Sequence, residues 1–361
     1  MQATRRGRAG GRGSGRGRKG GAKAAPKAAA LPRRTGRSGY AGALRPAYLA
    51  GFADASALHR SGGAPAGPDA KLRMNEHWTR YCQRGGRRAR GPAQGRAYAD
   101  GFADGLRLPR RGWVPVALAR TASAVVLAGS RASAEAVEQL LRLPFQDVVV
   151  VLENAGPDAF ARLRDLPDVT IVHTRERLGA DVGRTVGARM TRAELVLFAD
   201  GEAAVPAEQL AVLLAEAHAG CDLVLADVSG QLGPFRGWDD AARIRAFVNW
   251  SLGHPELNAN SVAVLPHVWS RAGLERVGLP QLAVPPMAQR AAIELGLRIR
   301  CRPVAAPKPG AGADPAGAAA KAKLAAGDHI EALRAAMRAK GARLSLPDLA
   351  RRRSAAGGRL P

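Results

Sequence analysis

Between residues 123 and 226 the chain holds five short, almost wholly apolar runs, separated by four segments of helical spacing. The runs are 123–127 (SAVVL), 147–152 (DVVVVL), 169–173 (VTIVH), 194–199 (ELVLFA) and 222–226 (DLVLA). A strand that is apolar on consecutive positions must be covered on both faces. Intervening helices provide that cover and carry the chain back, so the strands run parallel. Residues 133–142, 157–164, 179–191 and 206–218 read as those helices, with Ser133 as an N-cap and Pro206 in a first turn. The expected architecture is an α/β domain over residues 119–304 with a mostly parallel sheet. Only 4% of the chain is aromatic, so Ala, Val and Leu must build its core.

Ligands of such sheets lie beyond the carboxyl ends of the strands. After the second run stand Glu153, Asn154, Gly156 and Asp158, and after the fourth Asp200, Gly201 and Glu202. Two carboxylates one residue apart at a tight turn can face one hard divalent cation. The alternative is an ordinary acidic turn. Glu153 and Asp158 can accept from a base or ribose, or Asp158 can cap the helix that follows. Asp181 and Arg184, three apart on one helix face, can meet a pyrophosphate or pair with each other.

An acidic Asn/Gly turn (Glu153, Asn154, Gly156, Asp158) comes first, then a glycine-punctuated helix (Gly183, Gly187, Ala188, Arg189). A strand ending in Asp200 and Glu202 follows. This order resembles the family 2 glycosyltransferases of GT-A fold, over about half of the chain. The resemblance implies a GT-A-like domain and a sugar moved from a nucleotide-sugar donor to an unknown acceptor, such as a glycan. It implies Mn²⁺ or Mg²⁺ at Asp200 and Glu202, and donor contacts from Glu153, Asn154, Asp158, Asp181 and Arg184. Two positions depart from the family. Glu202 replaces the second aspartate, and the stretch from Leu282 to Gln289 holds no acid where inverting members place their base. Substitutes by position are Asp239, Asp240 and Glu256. His267 is another, because imidazole takes a proton near neutral pH, although a strand-end histidine bonded to backbone is the alternative. Trp238, Trp250 and Trp269 stack on a sugar or pack in the core. A non-catalytic GT-A-like domain that binds nucleotide or glycan, or scaffolds partners, is the second functional reading.

Outside this domain the net charge of +25 is unevenly spread: residues 1–37 carry twelve Lys and Arg and no acid. Residues 1–38 are therefore expected to be a disordered basic tail. The tail either binds polyanions through counterion release or keeps the chain soluble. No aromatic precedes Tyr40, so base stacking is not expected there. Residues 39–118 contain two similar segments, RPAYLAGFAD (45–54) and GRAYADGFAD (95–104). Tyr48 and Phe52, like Tyr98 and Phe102, share a helical face, and Gly51 and Gly101 permit close approach of another helix. Two short helices packing on each other or on the main domain are expected, or else a docking module. Residues 305–326 read as a linker, and 327–361 as a helix with a basic tail. Asp328 and Glu331 then form a capping box with His329 facing solvent, or Asp328, His329 and Glu331 complete the cleft as a lid. The three cysteines form no CxxC pair, no secretory signal is read and no apolar run suits a membrane span, so a cytoplasmic location is expected.

Overall fold

The computed structural model describes residues 39–63, 65, 67–85, 91–179, 181–304 and 315–346. The expectations for the basic tail, for residues 305–314 and for the chain after 346 lie outside them. Seven strands form one sheet: β1 (Ala122–Ala128), β2 (Val148–Glu153), β3 (Val169–Thr174), β4 (Leu195–Asp200), β5 (Leu223–Asp227), β6 (His267–Ser270) and β7 (Ile299–Pro303). Helices α1 (Arg45–Arg60), α2 (Gly67–Gly85) and α3 (Pro92–Gly105) precede the sheet. Among its strands run α4 (Ala134–Leu141), α5 (Pro157–Arg164), α6 (Val182–Met190), α7 (Ala207–His218), α8 (Ser229–Leu232), α9 (Asp240–Ser251), α10 (Arg271–Val277) and α11 (Pro285–Glu294). Helix α12 (Pro315–Lys340) follows.

The strand order is β3-β2-β1-β4-β6-β5-β7. All pairings are parallel except those of β6, which lies antiparallel between β4 and β5. The sheet is therefore mixed, with the expected five strands in it. The chain steps outward from β1 through β2 to β3, then crosses back to place β4 on the other side of β1. That reversal opens a crevice at the carboxyl ends of β1 and β4, where α/β sheets bind ligands. Alternate residues of each strand enter two cores. Val126 and Val150 pack with Val137, Leu163 and Leu213. Val125 and Val151 pack with Ala188, Leu274 and Ala292 on the opposite face. Helix α6 lies so close that a Cβ on Gly187 would meet Val125 Cγ1 at 2.2 Å.

The two similar segments are α1 and α3, and they pack on each other. A Cβ at Gly51 would sit 2.1 Å from the Tyr98 carbonyl oxygen, and one at Gly101 would sit 2.0 Å from that of Tyr48. The helices thus cross glycine to glycine. The tyrosines bond reciprocally: Tyr48 donates to Asp104 at 2.6 Å, and Tyr98 donates to Asp54. Burial, then the bond to Asp104, pushes the Tyr48 hydroxyl up to about 12. Helix α2, which the segment pattern left unread, carries two buried stripes. Ala70, Met74, Trp78 and Cys82 recur every fourth residue and join the core of α1 and α3. Lys71, Asn75 and Thr79, one position on, seat the unit on the sheet domain. Lys71 Nζ donates to Leu141 O at 3.0 Å, Asn75 Oδ1 accepts from Val116 N at 2.9 Å, and Thr79 donates to Leu118 O at 3.2 Å.

Helix α12 corrects two expectations. It begins at Pro315, so the stretch from there to residue 326 is helical and Asp328 lies within the helix rather than at its N-cap. His329 does not face solvent: it is buried, with Nδ1 2.6 Å from Ala325 O, beside Arg245, Asn249, Ser261 and Gln289. Ala332 and Ala336 continue that buried face. Gly327 lies mid-helix, and a Cβ there would meet nothing within 4 Å. Gly327→Ala is therefore expected to stabilise the chain by about 1 kcal/mol, read as a higher urea midpoint. An unchanged or lower midpoint would contradict a continuous helix across this position.

Candidate functional site

Three strand ends converge at the crevice. The turn after β4 is fixed by Gly201, whose N–H donates to Leu127 O at 2.8 Å and whose carbonyl accepts from Ser133 N at 2.8 Å. A Cβ on Gly201 would lie 2.7 Å from Ala128 Cβ and 2.9 Å from Val126 Cγ1, so only glycine lets β4 turn against β1. Asp200 Oδ1 accepts from Glu202 N at 2.8 Å, which holds its carboxylate on the turn that also carries Glu202. Glu202 reaches across to the loop after β1. Its Oε1 lies 3.2 Å from where a Gly129 Cβ would be, and the Glu153 carbonyl lies 3.9 Å from the same point. Arg131 in that loop binds Glu202 Oε2 through Nε at 2.9 Å and Nη2 at 2.6 Å.

Glu153 ends β2, with Oε2 accepting from Leu178 N at 3.3 Å and Oε1 3.0 Å from the place of a Gly183 Cβ. Asn154 follows in left-handed backbone at φ 45°, its N–H donating to Thr174 O at 3.0 Å. Asp158 is exposed in the first turn of α5, whose N-cap is Gly156. Asp181 and Arg184 pair with each other, Nε to Oδ1 at 2.7 Å. Arg184 is only 3% exposed, and its remaining donors reach Val262 O at 2.8 Å and Ala263 O at 3.4 Å. Its guanidinium thus ties α6 to the segment before β6.

Three carboxyls here bind protons more readily than usual. Burial raises Asp200 first, with the Glu202 carboxylate adding to it, while the Glu202 N–H, Lys321 and Arg131 oppose it. Burial and Asp181 raise Glu153. Burial, Asp181 and Glu331 raise Asp328. Helix α12 thus brings Lys321 within electrostatic reach of Asp200, and Asp328 within reach of Asp181. A carboxyl whose folded pKa is raised binds more protons folded than unfolded, so its burial costs stability as pH rises through the folded pKa. Asp200→Asn keeps the oxygen that accepts from Glu202 N and removes the charge. It is expected to raise the melting temperature at pH 7, with the gap to wild type closing in acid. A lower melting temperature at pH 7 would refute this.

The proposed bases are engaged elsewhere. His267 is fully buried in β6, stacked on Phe198 at 5.1 Å with Nδ1 3.1 Å from Val264 O. Burial, then Arg184, lowers its pKa to about 3, so it stays neutral at physiological pH. Asp239 caps α9 by accepting from Ala242 N at 2.6 Å. Asp240 pairs with Arg243 at 3.1 Å and Glu256 with His254 at 2.8 Å, both on exposed surface. Trp269 is buried core, Trp238 is half-buried and Trp250 is exposed.

Two sets of residues here went unread in the sequence. Arg131 lies one position beyond the Ala128-Gly129-Ser130 turn, and only its place after a strand could have signalled it. The other is a buried amide network. Gln289 Nε2 donates to Asn249 Oδ1 at 2.6 Å, Asn249 donates to Asn260 O at 3.0 Å, and Asn260 donates to Asp227 at 3.0 Å. It pins the segment leading to β6 against the end of β5.

Mg²⁺-type cations use one or two carboxylates, completing their shells with water and substrate phosphates. Asp200 and Glu202 fit that donor set, with Arg131 competing for Glu202. Among the described residues, no group of three or more His, Cys, Asp and Glu side chains is arranged to hold a metal.

No protein-family model matches the chain, and no curated protein is similar to it. Among solved structures, it is similar to glucosyl-3-phosphoglycerate synthase from Mycobacterium tuberculosis, crystallised with Mn²⁺, uridine diphosphate and phosphoglyceric acid. That match has 16% identity and a TM-score of 0.45, and covers 64% of this chain and 81% of the other. Mannosyl-3-phosphoglycerate synthase from Rubrobacter xylanophilus matches at 14% identity and a TM-score of 0.44, over 60% of this chain and 75% of the other. A mannosyltransferase from Pyrobaculum calidifontis, in complex with GDP-mannose and Mn²⁺, matches at 18% identity and a TM-score of 0.35. It covers 83% of this chain and 93% of its own.

Proposed function

We propose that this chain transfers a sugar from a nucleotide-sugar donor, with a divalent cation held at Asp200 and Glu202. The observation that carries this reading is the pair of carboxylates on the one turn after β4, Glu202 beside Gly129 of the β1 loop, where burial and Glu202 already disfavour the Asp200 charge. A site that holds more negative charge than it can solvate is suited to a cation. When bound, Mn²⁺ or Mg²⁺ would neutralise the charge that develops on the departing diphosphate. Gly129 leaves room beside Glu202 where a side chain would intrude, and Gly201 lets the turn that carries both carboxylates pack against β1. Glu153, Asn154 and Asp158, around the end of β2, are proposed to contact base and ribose, and Asp181 to orient Arg184 beneath them.

A nucleotide-binding domain without transfer activity is the second reading, favoured by one observation: His267, Asp239, Asp240 and Glu256 are buried, capping or paired at the surface. A hydrolysis panel of UDP-, GDP- and dTDP-sugars, with and without manganese, separates the two. Manganese-dependent release of sugar from one donor is expected. Tight nucleotide binding with no turnover on any donor would leave the binding domain as the answer.

A further inference from the structure

A cavity of about 270 Å³ lies between α1 and α2, lined by Ala50 and Asp54 of α1 and by His77, Arg80, Tyr81 and Arg84 of α2. The four α2 residues are spaced i, i+3, i+4 and i+7, so they share one helix face. That face borders the stripe that enters the core, with His77 on Phe102 and Tyr81 on Trp78, and turns Arg80 and Arg84 away from it. We propose that this cavity is a phosphate-binding site, in which Arg80 and Arg84 hold the phosphate oxygens beside His77.

The chemistry of the lining supports it. A guanidinium presents a planar fork that suits two phosphate oxygens. Arg84 has no ion pair among the described residues. Arg80 approaches Glu76 only at 3.9 Å, with side chains 56% and 46% exposed, a pairing of little strength. The one carboxylate in the lining is already engaged: Asp54 accepts from the Tyr98 hydroxyl and lies 3.7 Å from His77 Nδ1. Its lone pairs are thus directed to the tyrosine and the imidazole, and protonation of His77 would offset its charge. Burial holds His77 below its ordinary range, with Asp54 and Glu76 raising it and Arg80 and Arg73 lowering it. A bound phosphate would favour its protonated form. A water occupies roughly 30 Å³ of liquid volume, so the cavity has room for a phosphate group with several waters. The charge balance of this part of the chain favours an anion as well: residues 39–118 hold thirteen Lys and Arg against five Asp and Glu. The phosphate can be free or part of a nucleic-acid backbone.

The test uses the full chain with labelled histidine, titrated with inorganic phosphate and followed by the ring resonances of His77. The His77 ring packs on Phe102 at 5.9 Å between centroids, so it reports locally. Saturable shifts are expected, weakened at least tenfold in Arg80→Ala/Arg84→Ala and partly recovered in Arg80→Lys/Arg84→Lys. A His77 signal that ignores phosphate, or a double variant that binds like wild type, would overturn the proposal. A second arm measures anisotropy of a single-stranded RNA oligonucleotide across a salt series. If the phosphate belongs to nucleic acid, the double alanine variant lowers the slope of log affinity against log salt by about 2. An unchanged slope with the phosphate response intact assigns the site to a free phosphate compound.

Discussion

Alanine at Gly51 or at Gly101 is expected to dismantle the helical unit of α1 to α3. The added Cβ meets a backbone carbonyl oxygen at 2.1 Å in one case and 2.0 Å in the other. Neither oxygen can rotate away, because each belongs to the opposing helix. The axes must separate, which loosens the contacts of Tyr48, Tyr98 and Phe102 and stretches both Tyr–Asp bonds. A cost of about 3 kcal/mol, the upper end for overpacking, is expected from either substitution. Gly156→Ala, where a Cβ meets nothing within 4 Å, should shift little and serves as the control. Hydrogen exchange locates the effect: amides of α1 and α3 should lose protection while those of β1 and β4 keep theirs. Wild-type protection in Gly101→Ala would show that the crossing is not this tight.

The second large effect concerns Asp200. A nucleoside diphosphate is expected to bind at least tenfold more tightly with Mn²⁺ than without, a gain of about 1.4 kcal/mol. Asp200→Ala should erase that gain and leave the metal-free affinity nearly unchanged. Arg131→Ala should enlarge it, because the guanidinium that occupies Glu202 is gone. Calorimetry separates these outcomes. Equal affinity with and without metal in the wild type would sink the cation site, and a weaker gain in Arg131→Ala would sink the competition.

Four of the five strands read in sequence are apolar on consecutive positions, as a covered parallel strand requires; β3, at the sheet edge with Thr170 and His173 exposed, is recognised by its β-branched Val169, Ile171 and Val172. β6 is not, since it spans only His267–Ser270 and gains its place by pairing between β4 and β5, a tertiary fact. The beginning of α12 reads as a linker because Gly and Pro surround its alanines. Yet alanine is the strongest helix former, and from Pro315 onward it prevails. Helix α2 carried a readable signal in Ala70, Met74, Trp78 and Cys82, which its charged residues obscured. At the crevice, Asp200 and Glu202 stand out because a strand end gives two carboxylates a common direction. The environment of His267 could not be read, since full burial depends on Phe198 and on strands distant in sequence.

The reciprocal bonds of α1 and α3 make the pair self-complementary. Tyr48 of the first segment meets Asp104 of the second, and Tyr98 of the second meets Asp54 of the first. The two segments relate as the halves of a twofold-symmetric homodimer do, here joined in one polypeptide. Each segment carries the surface that its counterpart needs, so the same contacts are open to two chains as well as to one. The local concentration set by α2 is what keeps the partnership intramolecular. A shortened or stiffened connection between the segments would turn the same repeated segment into a route to domain-swapped dimers.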